Sequence, residues 1–297
     1  MTESQDRWSR WLLHGRFGDD EVALQRTLEF LEPIRDRVLA AARISPGAVV
    51  ADVGCGDGLL GFGALSLVGD TGRVVFADVS EELLEQCRAI ATELEGADRC
   101  RFVHTGAESL EGIEDGSIDV VMTRSVLIYV EDKASAFTAF LRVLRPGGRI
   151  SLYEPINRRY TELNRDTLFG YDATPIQDLA AKVWTIFEAA VPAEGPMMGF
   201  DETDLFRLAE SSGLSEIAVT LELSSTDRPP FAGVAWDDLM KISPNPHAPT
   251  FGEAINQALT PDEARSVESY LRPLVDENAG GPFRSADAYV SAVRPSP

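Results

Sequence analysis

The run Val49-Val50-Ala51-Asp52-Val53-Gly54-Cys55-Gly56-Asp57-Gly58 constrains this chain more than any other stretch. A short apolar strand ends beside an acid, and glycines then take alternate positions. Glycine there permits a tight turn and lets backbone come close to a ligand. A second apolar run, Val74-Val75-Phe76-Ala77, ends in Asp78. A carboxylate at the tip of a second strand suits a two-oxygen grip on ribose hydroxyls. Together the two runs imply an adenosine-containing cofactor lying across the strand tips of an α/β sheet.

Two cofactors compete for that loop. Gly56-Asp57-Gly58-Leu59-Leu60-Gly61 satisfies G-x-G-x-x-G, and Asp78 follows Gly58 by 20 residues. That is a formal dinucleotide fingerprint. A dinucleotide site also needs its first glycine directly after the strand and a helix N-terminus free for a pyrophosphate. Here Asp52 and Asp57 flank the loop, and two carboxylates repel a pyrophosphate. They attract instead a positive centre and an ammonium group, the charges of S-adenosylmethionine.

Two further motifs follow in order. Asp115-Gly116-Ser117 is a turn leading into the strand Ile118-Asp119-Val120-Val121-Met122, and a helix ending at Leu144 is stopped by Pro146-Gly147-Gly148 before another strand. With all four motifs in place, the chain resembles the class I S-adenosylmethionine-dependent methyltransferases of small-molecule type, over about residues 45–155. The resemblance implies a Rossmann-like α/β fold: a seven-stranded, mostly parallel sheet with helices on both faces. Its last strand would run antiparallel between the fifth and sixth. It implies that the backbone of Gly54, Gly56 and Gly58 contacts the methionine part of the cofactor. Asp52 would order the loop or meet the ammonium through water. Asp78, followed by Val79, would hold the ribose, and Arg124 and Ser125 would border the methionine segment. Relatives read Gly-Asp-Ala-Glu-x-Leu after the third strand, the Asp bonding the adenine amine. Here the run is Thr105-Gly106-Ala107-Glu108-Ser109-Leu110. Either the Ala107 backbone alone reads adenine, or Glu108 or another group substitutes.

Composition narrows the partners. Net charge is −21, 27 basic residues against 48 acidic, and that field repels nucleic acid. Methyltransferases of nucleobase amines carry an Asn/Asp-Pro-Pro-aromatic run where this chain reads Arg124-Ser125-Val126-Leu127. No run of 18 apolar residues exists, so no membrane span is expected. Residues 1–6 are polar and acidic, unlike a signal peptide, and a cytoplasmic protein is expected. Cys55, Cys87 and Cys100 lack CxxC spacing, which argues against a disulfide framework or zinc site. The carboxylate and Asn set of divalent-metal O-methyltransferases is not recognisable, so no metal is expected. The expected partner is a small-molecule acceptor, with a homodimer left open.

Strand and helix patterns alternate through the core, which implies parallel strands joined by right-handed crossovers. The division read from them is an N-terminal helical lid at 1–45, a cofactor-binding core at 46–155, and a cap insertion at 156–200 with a helix near 176–190. The core continues at 201–225. A second cap insertion fills 226–285, with helical patterns at 234–241 and 261–276, and a final core strand lies in 286–297. Pro33 is expected to kink or split the lid's second helix. Long excursions from a compact core are usually functional, and these would cover the strand tips.

Methyl transfer from a sulfonium chiefly needs alignment in a dry site, with a base only where the nucleophile starts protonated. His247 and His14, both in lid elements, are the histidines placed to act as that base. Glu154 ends the fifth strand and is expected to face the substrate, as proton acceptor or hydroxyl anchor. Tyr129 is expected to line the substrate space. Each has a plainer reading: a hydrogen-bonded histidine, a strand-end acceptor for Glu154, helix packing for Tyr129. The aromatic and Met side chains of both insertions suit an aromatic, quinone-like or polyketide-like acceptor. The expected activity is metal-independent O-, N- or C-methylation of such a molecule, with secondary metabolism as the expected setting. The alternatives are a nicotinamide-dependent oxidoreductase and a non-catalytic S-adenosylmethionine-binding protein.

Overall fold

A computed structural model describes Trp8, Leu12, residues 21–227 and residues 231–296, with side chains of the first helix described from Leu28 onward. The N-terminal half alternates as the glycine loop requires: helix α1 (Glu21–Ala42), β1 (Val49–Val53), α2 (Leu59–Leu67), β2 (Arg73–Asp78), α3 (Glu81–Glu93), β3 (Cys100–His104), β4 (Ile118–Arg124), α4 (Lys133–Val143) and β5 (Leu144–Pro155). Then come α5 (Asn157–Leu163), a hairpin of β6 (Thr167–Leu168) and β7 (Tyr171–Asp172), and α6 (Gln177–Ala190). The chain ends with α7 (Glu202–Ser211), β8 (Ser215–Thr226), α8 (Trp236–Leu239), α9 (Phe251–Ala258), α10 (Pro261–Asp276) and β9 (Phe283–Val293).

Seven strands form one sheet in the order β3-β2-β1-β4-β5-β9-β8. The first five are parallel, and β9 runs antiparallel between β5 and β8. Parallel strands need cover on both faces, and they have it. On one face α1, α2 and α3 bury Val38, Leu60 and Leu84 against Val50, Val74, Phe76 and Met122. On the other, α4 and α7 bury Phe137, Phe140 and Leu205 against Val53, Val121, Ile150 and Val290. Arg145, Pro146 and Gly147 form an exposed loop-out ahead of the buried Gly148: the β4–β5 register passes from Ile118↔Leu144 directly to Val120↔Arg149.

Pro33 does not split α1, which continues unbroken across it. Leu31, Ile34, Val38 and Leu39 all pack on the sheet, and the Ser151 hydroxyl donates to the Val38 carbonyl at 2.7 Å. Burial of roughly 1.5–3 kcal/mol per large apolar side chain offsets the ~3 kcal/mol that an internal proline costs.

A third apolar cluster lies outside the sheet. It joins Leu168, Tyr171, Val183 and Phe187 from the stretch after β5 to Trp236, Phe251, Ile255, Val267 and Leu271 from the stretch after β8. Two segments far apart in sequence thus share one core. β9 begins at Phe283, inside the stretch assigned from sequence to the second insertion. Among the described residues no helix is long and apolar enough to cross a membrane.

Candidate active site

The glycine loop is fixed from both sides. Gly54 and Cys55 donate their N–H groups to the Ala77 carbonyl at 2.7 and 3.1 Å. Gly56 donates to Asp78 Oδ2 at 2.9 Å, while Ser80 donates to Asp78 Oδ1, also at 2.9 Å. Burial raises the Asp78 carboxyl pKa against those two bonds. Asp78 still borders the open cleft, where its remaining lone pairs can accept hydroxyls. Asp52 is not in the cleft. It lies beneath the loop, where its Oδ2 accepts from the Gly61 N–H at 2.7 Å. Helix α2 has Gly58 as its N-cap, with no side-chain cap of its own, so Asp52 supplies the missing acceptor from the neighbouring strand. Burial pushes its carboxyl up to about 7, with Gly61 and Arg124 pulling the other way.

The glycines are required for different reasons. A Cβ at Gly61 would sit 2.2 Å from the Phe76 ring, and one at Gly58 would sit 2.4 Å from Phe62. Gly61 serves helix–strand packing, while Gly58, at φ +81°, makes room for Phe62 of its own helix, which is why the G-x-G-x-x-G spacing appears without a pyrophosphate site. Gly54 has φ +64°, and a Cβ there would meet Val126 Cγ2 at 2.4 Å. The loop and the turn after β4 therefore touch. Gly54→Ala is expected to weaken S-adenosylhomocysteine binding about tenfold, because it adds left-handed strain of ~1–2 kcal/mol and displaces Val126. Gly116, also at φ +64° with nothing within 4 Å, is the control. Gly116→Ala should cost comparable stability and leave affinity unchanged, by calorimetric titration and melting.

The tip of β4 carries Arg124 and Ser125, and both border the cleft. Ser125 holds φ +57°, a conformation uncommon for a non-glycine residue, and donates its N–H to the Tyr153 carbonyl at 2.9 Å. The chain then turns through Leu127–Tyr129. Glu154 makes that turn possible. Its Oε1 accepts from the Val126 and Leu127 N–H groups at 3.1 and 3.0 Å and from the Thr123 hydroxyl at 3.4 Å, and its Oε2 from the Ile128 N–H at 3.2 Å. It is fully buried and does not border the cavity. The expectation that Glu154 faces substrate is thereby corrected: backbone donors take up both its oxygens.

After β3, Ala107 and Glu108 reach the cleft, as does Val79, an apolar side chain 46% exposed. A Cβ added at Gly106 would lie 3.0 Å from Glu108 Oε2 and 3.7 Å from Val79 Cγ1. The Glu108 carboxylate thus occupies the space that a side chain at 106 would enter. His104 donates its Nε2–H to the Val79 carbonyl, 2.9 Å away.

All of this opens into one cavity of about 600 Å³. It extends from Gly54, Gly56 and Asp78 to the shared core of the two insertions, where Phe169, Trp184, Phe187 and Phe231 line it. Tyr129 lines it too, with the Trp8 ring edge-on at 4.5 Å. His247 is not a lining residue. Its ring stands behind these two, 5.8 Å from Trp8 and 6.0 Å from Tyr129. His14 lies outside the described residues. Sequence reasoning missed Asn245, Tyr153 and Asp287, all of which line the cavity. Asn245 Oδ1 accepts from the His247 and Ala248 N–H groups at 2.9 and 3.0 Å, which fixes the Pro-rich loop. Among the described residues no group of three or more His, Cys, Asp or Glu is placed to hold a metal ion.

Comparison with known proteins decides between the two cofactors. A family model described as a methyltransferase domain matches residues 44–182. The ubiquinone/menaquinone biosynthesis C-methyltransferase of Shewanella frigidimarina is 30% identical over 190 residues, 64% of this chain and 68% of its own length. The chain belongs to the S-adenosylmethionine-dependent methyltransferases. The nocamycin O-methyltransferase of Saccharothrix syringae is 28% identical to this methyltransferase over 287 residues, 91% of this chain and 94% of its own. Other curated relatives are spanned over less than two thirds of their length, at 33%, 61% and 65%. The fold recurs in phosphoethanolamine N-methyltransferase 2 of Haemonchus contortus, solved in complex with S-adenosyl-L-methionine. That likeness has a TM-score of 0.52 at 16% identity and covers 89% of this methyltransferase and 53% of that chain. The cofactor is S-adenosylmethionine, and the nicotinamide reading is set aside.

Proposed function

We propose that this enzyme methylates a small, largely apolar or aromatic organic acceptor, without a metal, in the secondary metabolism of a cytoplasm. One observation carries the reading: a single cavity joins the glycine loop and Asp78 to an aromatic chamber built by both insertions. Together with Trp8 and Leu12, those insertions act as a cap over the acceptor. The division into lid, core and cap read from the sequence stands as part of this proposal. Full-length similarity to an O-methyltransferase named for nocamycin supports an acceptor of that general size.

The chain's residues fit the cofactor. Bound S-adenosylmethionine supplies a methyl group already activated on a sulfonium, so the protein's task is to align and to exclude water. Asp78 holds the ribose hydroxyls with the lone pairs that Gly56 and Ser80 leave free. Gly54 and Gly56 present bare backbone to the methionine segment, beside Arg124 and Ser125. Asp52 acts at one remove, by fixing the loop to α2. Val79 and Ala107 flank the adenine, and Glu108 takes the amine in place of the absent side chain at 106. Tyr129 closes the acceptor side.

Calorimetric titration with S-adenosylhomocysteine, with NADH in parallel, tests this. Micromolar binding of the former alone is expected, and binding of NADH alone would overturn the reading. Binding without methyl transfer to any of a panel of phenols, hydroxyquinones and polyketide acids would favour the non-catalytic alternative.

A further inference from the structure

The chamber has one polar wall, and β9 builds it. Along that strand Ala286, Ala288, Val290 and Ala292 enter the core with α4 and α7, while Tyr289 packs on the α1 face. Period two therefore places Ser285 and Asp287 on the α1 face with Tyr289. The register Pro155↔Asp287 sets Asp287 at the C-terminal end of β5, where the cavity opens. There the Tyr153 hydroxyl donates to Asp287 Oδ1 at 2.6 Å, and the Ser285 hydroxyl donates to Oδ2 at 2.6 Å. Both donors are buried, and all three residues line the cavity.

Four carboxylates line the cavity among the described residues. Asp78 holds the glycine loop, and Glu108 lies against Gly106 at the cofactor end. Glu188 faces Arg165 at 3.8 Å. Asp287 differs from them: both its hydrogen bonds come from hydroxyls of the chamber wall. The Arg37 guanidinium on the same face is bonded to Glu222 and stacked over the Tyr289 ring, 3.6 Å from its centroid. A carboxylate has roughly four acceptor positions, and two of them remain for a donor entering from the chamber. A half-buried carboxylate left half-used beside an apolar chamber is costly, and an incoming O–H would satisfy it.

We propose that Asp287 is the proton acceptor for a hydroxylated acceptor molecule, so that the methyl group is delivered to oxygen. This rests on the methyltransferase reading above. The acceptor's O–H proton passes to an Asp287 oxygen, and the freed electron pair forms the bond from oxygen to the methyl carbon. The methyl–sulfur bond breaks with its pair on sulfur, leaving S-adenosylhomocysteine, and Asp287 then returns the proton to water. The groups facing Asp287 are Tyr153 on β5, Ser285 and Tyr289 on β9, Glu222 on β8 and Arg37 on α1, with Arg124 on β4 beside Tyr153. Burial raises its proton affinity above that of an ordinary carboxylate and Glu222 adds to this, while the two hydroxyls and Arg37 lower it. The net direction is upward, which makes Asp287 a stronger proton acceptor than an ordinary carboxylate.

The test uses the full chain saturated with S-adenosylhomocysteine and 4-nitrophenol as probe, with 4-nitroanisole as the analogue lacking the proton. The ionisation midpoint of the bound phenol, read from phenolate absorbance, is expected to rise above that of the free probe, because ionised Asp287 accepts from the neutral phenol and repels the phenolate. The anisole should bind about tenfold more weakly. In Asp287→Asn the phenol should bind about tenfold more weakly and its midpoint should no longer be raised, with S-adenosylhomocysteine affinity unchanged. Tyr153→Phe keeps the ring but removes a donor that lowers the basicity of Asp287, so the midpoint should rise further. It also carries the test if Asp287→Asn does not fold. An unchanged midpoint in whichever variants fold, or no phenol binding by wild-type protein that still binds S-adenosylhomocysteine, would overturn the proposal. Failure to bind S-adenosylhomocysteine would instead count against the methyltransferase site itself.

Discussion

Asp78→Ala is expected to weaken S-adenosylhomocysteine binding by about 100-fold while the domain stays folded. The carboxylate has two duties that the substitution separates. Toward the protein it accepts from Gly56 and Ser80, and toward the cleft it offers the acceptors proposed for the ribose. Hydrogen bonds to a charged group contribute about 1.5–3 kcal/mol each, so losing two ribose contacts accounts for the expected factor. The loop itself remains tied to Ala77 through Gly54 and Cys55. Because Asp78 borders the cleft, water can reach the two orphaned N–H groups, which limits the stability loss to about 1–3 kcal/mol. Titration calorimetry and a thermal melt read the two effects separately. Unchanged affinity would sink the assignment of Asp78 to the ribose.

The core was legible because its signals are local. Each strand of 49–53, 73–78 and 118–124 is an apolar run ended by a turn signal, and parallel order follows from the intervening helices. The cap was legible only in fragments. Its core forms between stretches on either side of α7 and β8, a pairing that no local pattern contains. Even so, α9 carried a readable start: Thr250 and Glu253 form a capping box, the same device that opens α10 at Thr260 and Glu263. The site divides along the same line. Gly54, Gly56 and Asp78 belong to a motif, whereas Asp287 and Tyr153 meet only through the β5–β9 register. The available hint was alternation, with Ser285, Asp287 and Tyr289 interleaved with small apolar residues on an inner strand. Glu154 was misassigned for a related reason. Strand-end position places a side chain near the cleft, but the partners across the sheet decide whether it faces in.

Glu154→Ala is expected to destabilise the protein by about 3–5 kcal/mol, lowering its melting temperature by roughly 10 °C. It strands the Val126, Leu127 and Ile128 N–H groups in a dry interior. The same turn carries Val126, Ile128 and Tyr129 into the cavity wall, so acceptor binding should be lost before cofactor binding. Glu154→Gln keeps the shape but points an amide N–H₂ at a backbone N–H, an intermediate penalty of about 1–3 kcal/mol. Acidity gives the sharper test. Burial pushes the Glu154 carboxyl from 4.5 up to about 7, against its four donors. An unfolded chain loses that proton near its ordinary value, while the native state keeps it to about 7. Between those limits the native state binds more protons, so stability is highest below the window and falls as pH rises through it. Asp52, also pushed up to about 7 by burial, adds to the same slope. Urea unfolding at pH 5 and pH 8 should therefore show wild-type protein losing more stability across the interval than Glu154→Gln, which has no proton to lose. Equal losses would mean that four donors hold Glu154 ionised throughout, and that the turn beneath the acceptor chamber is pinned by a buried charge.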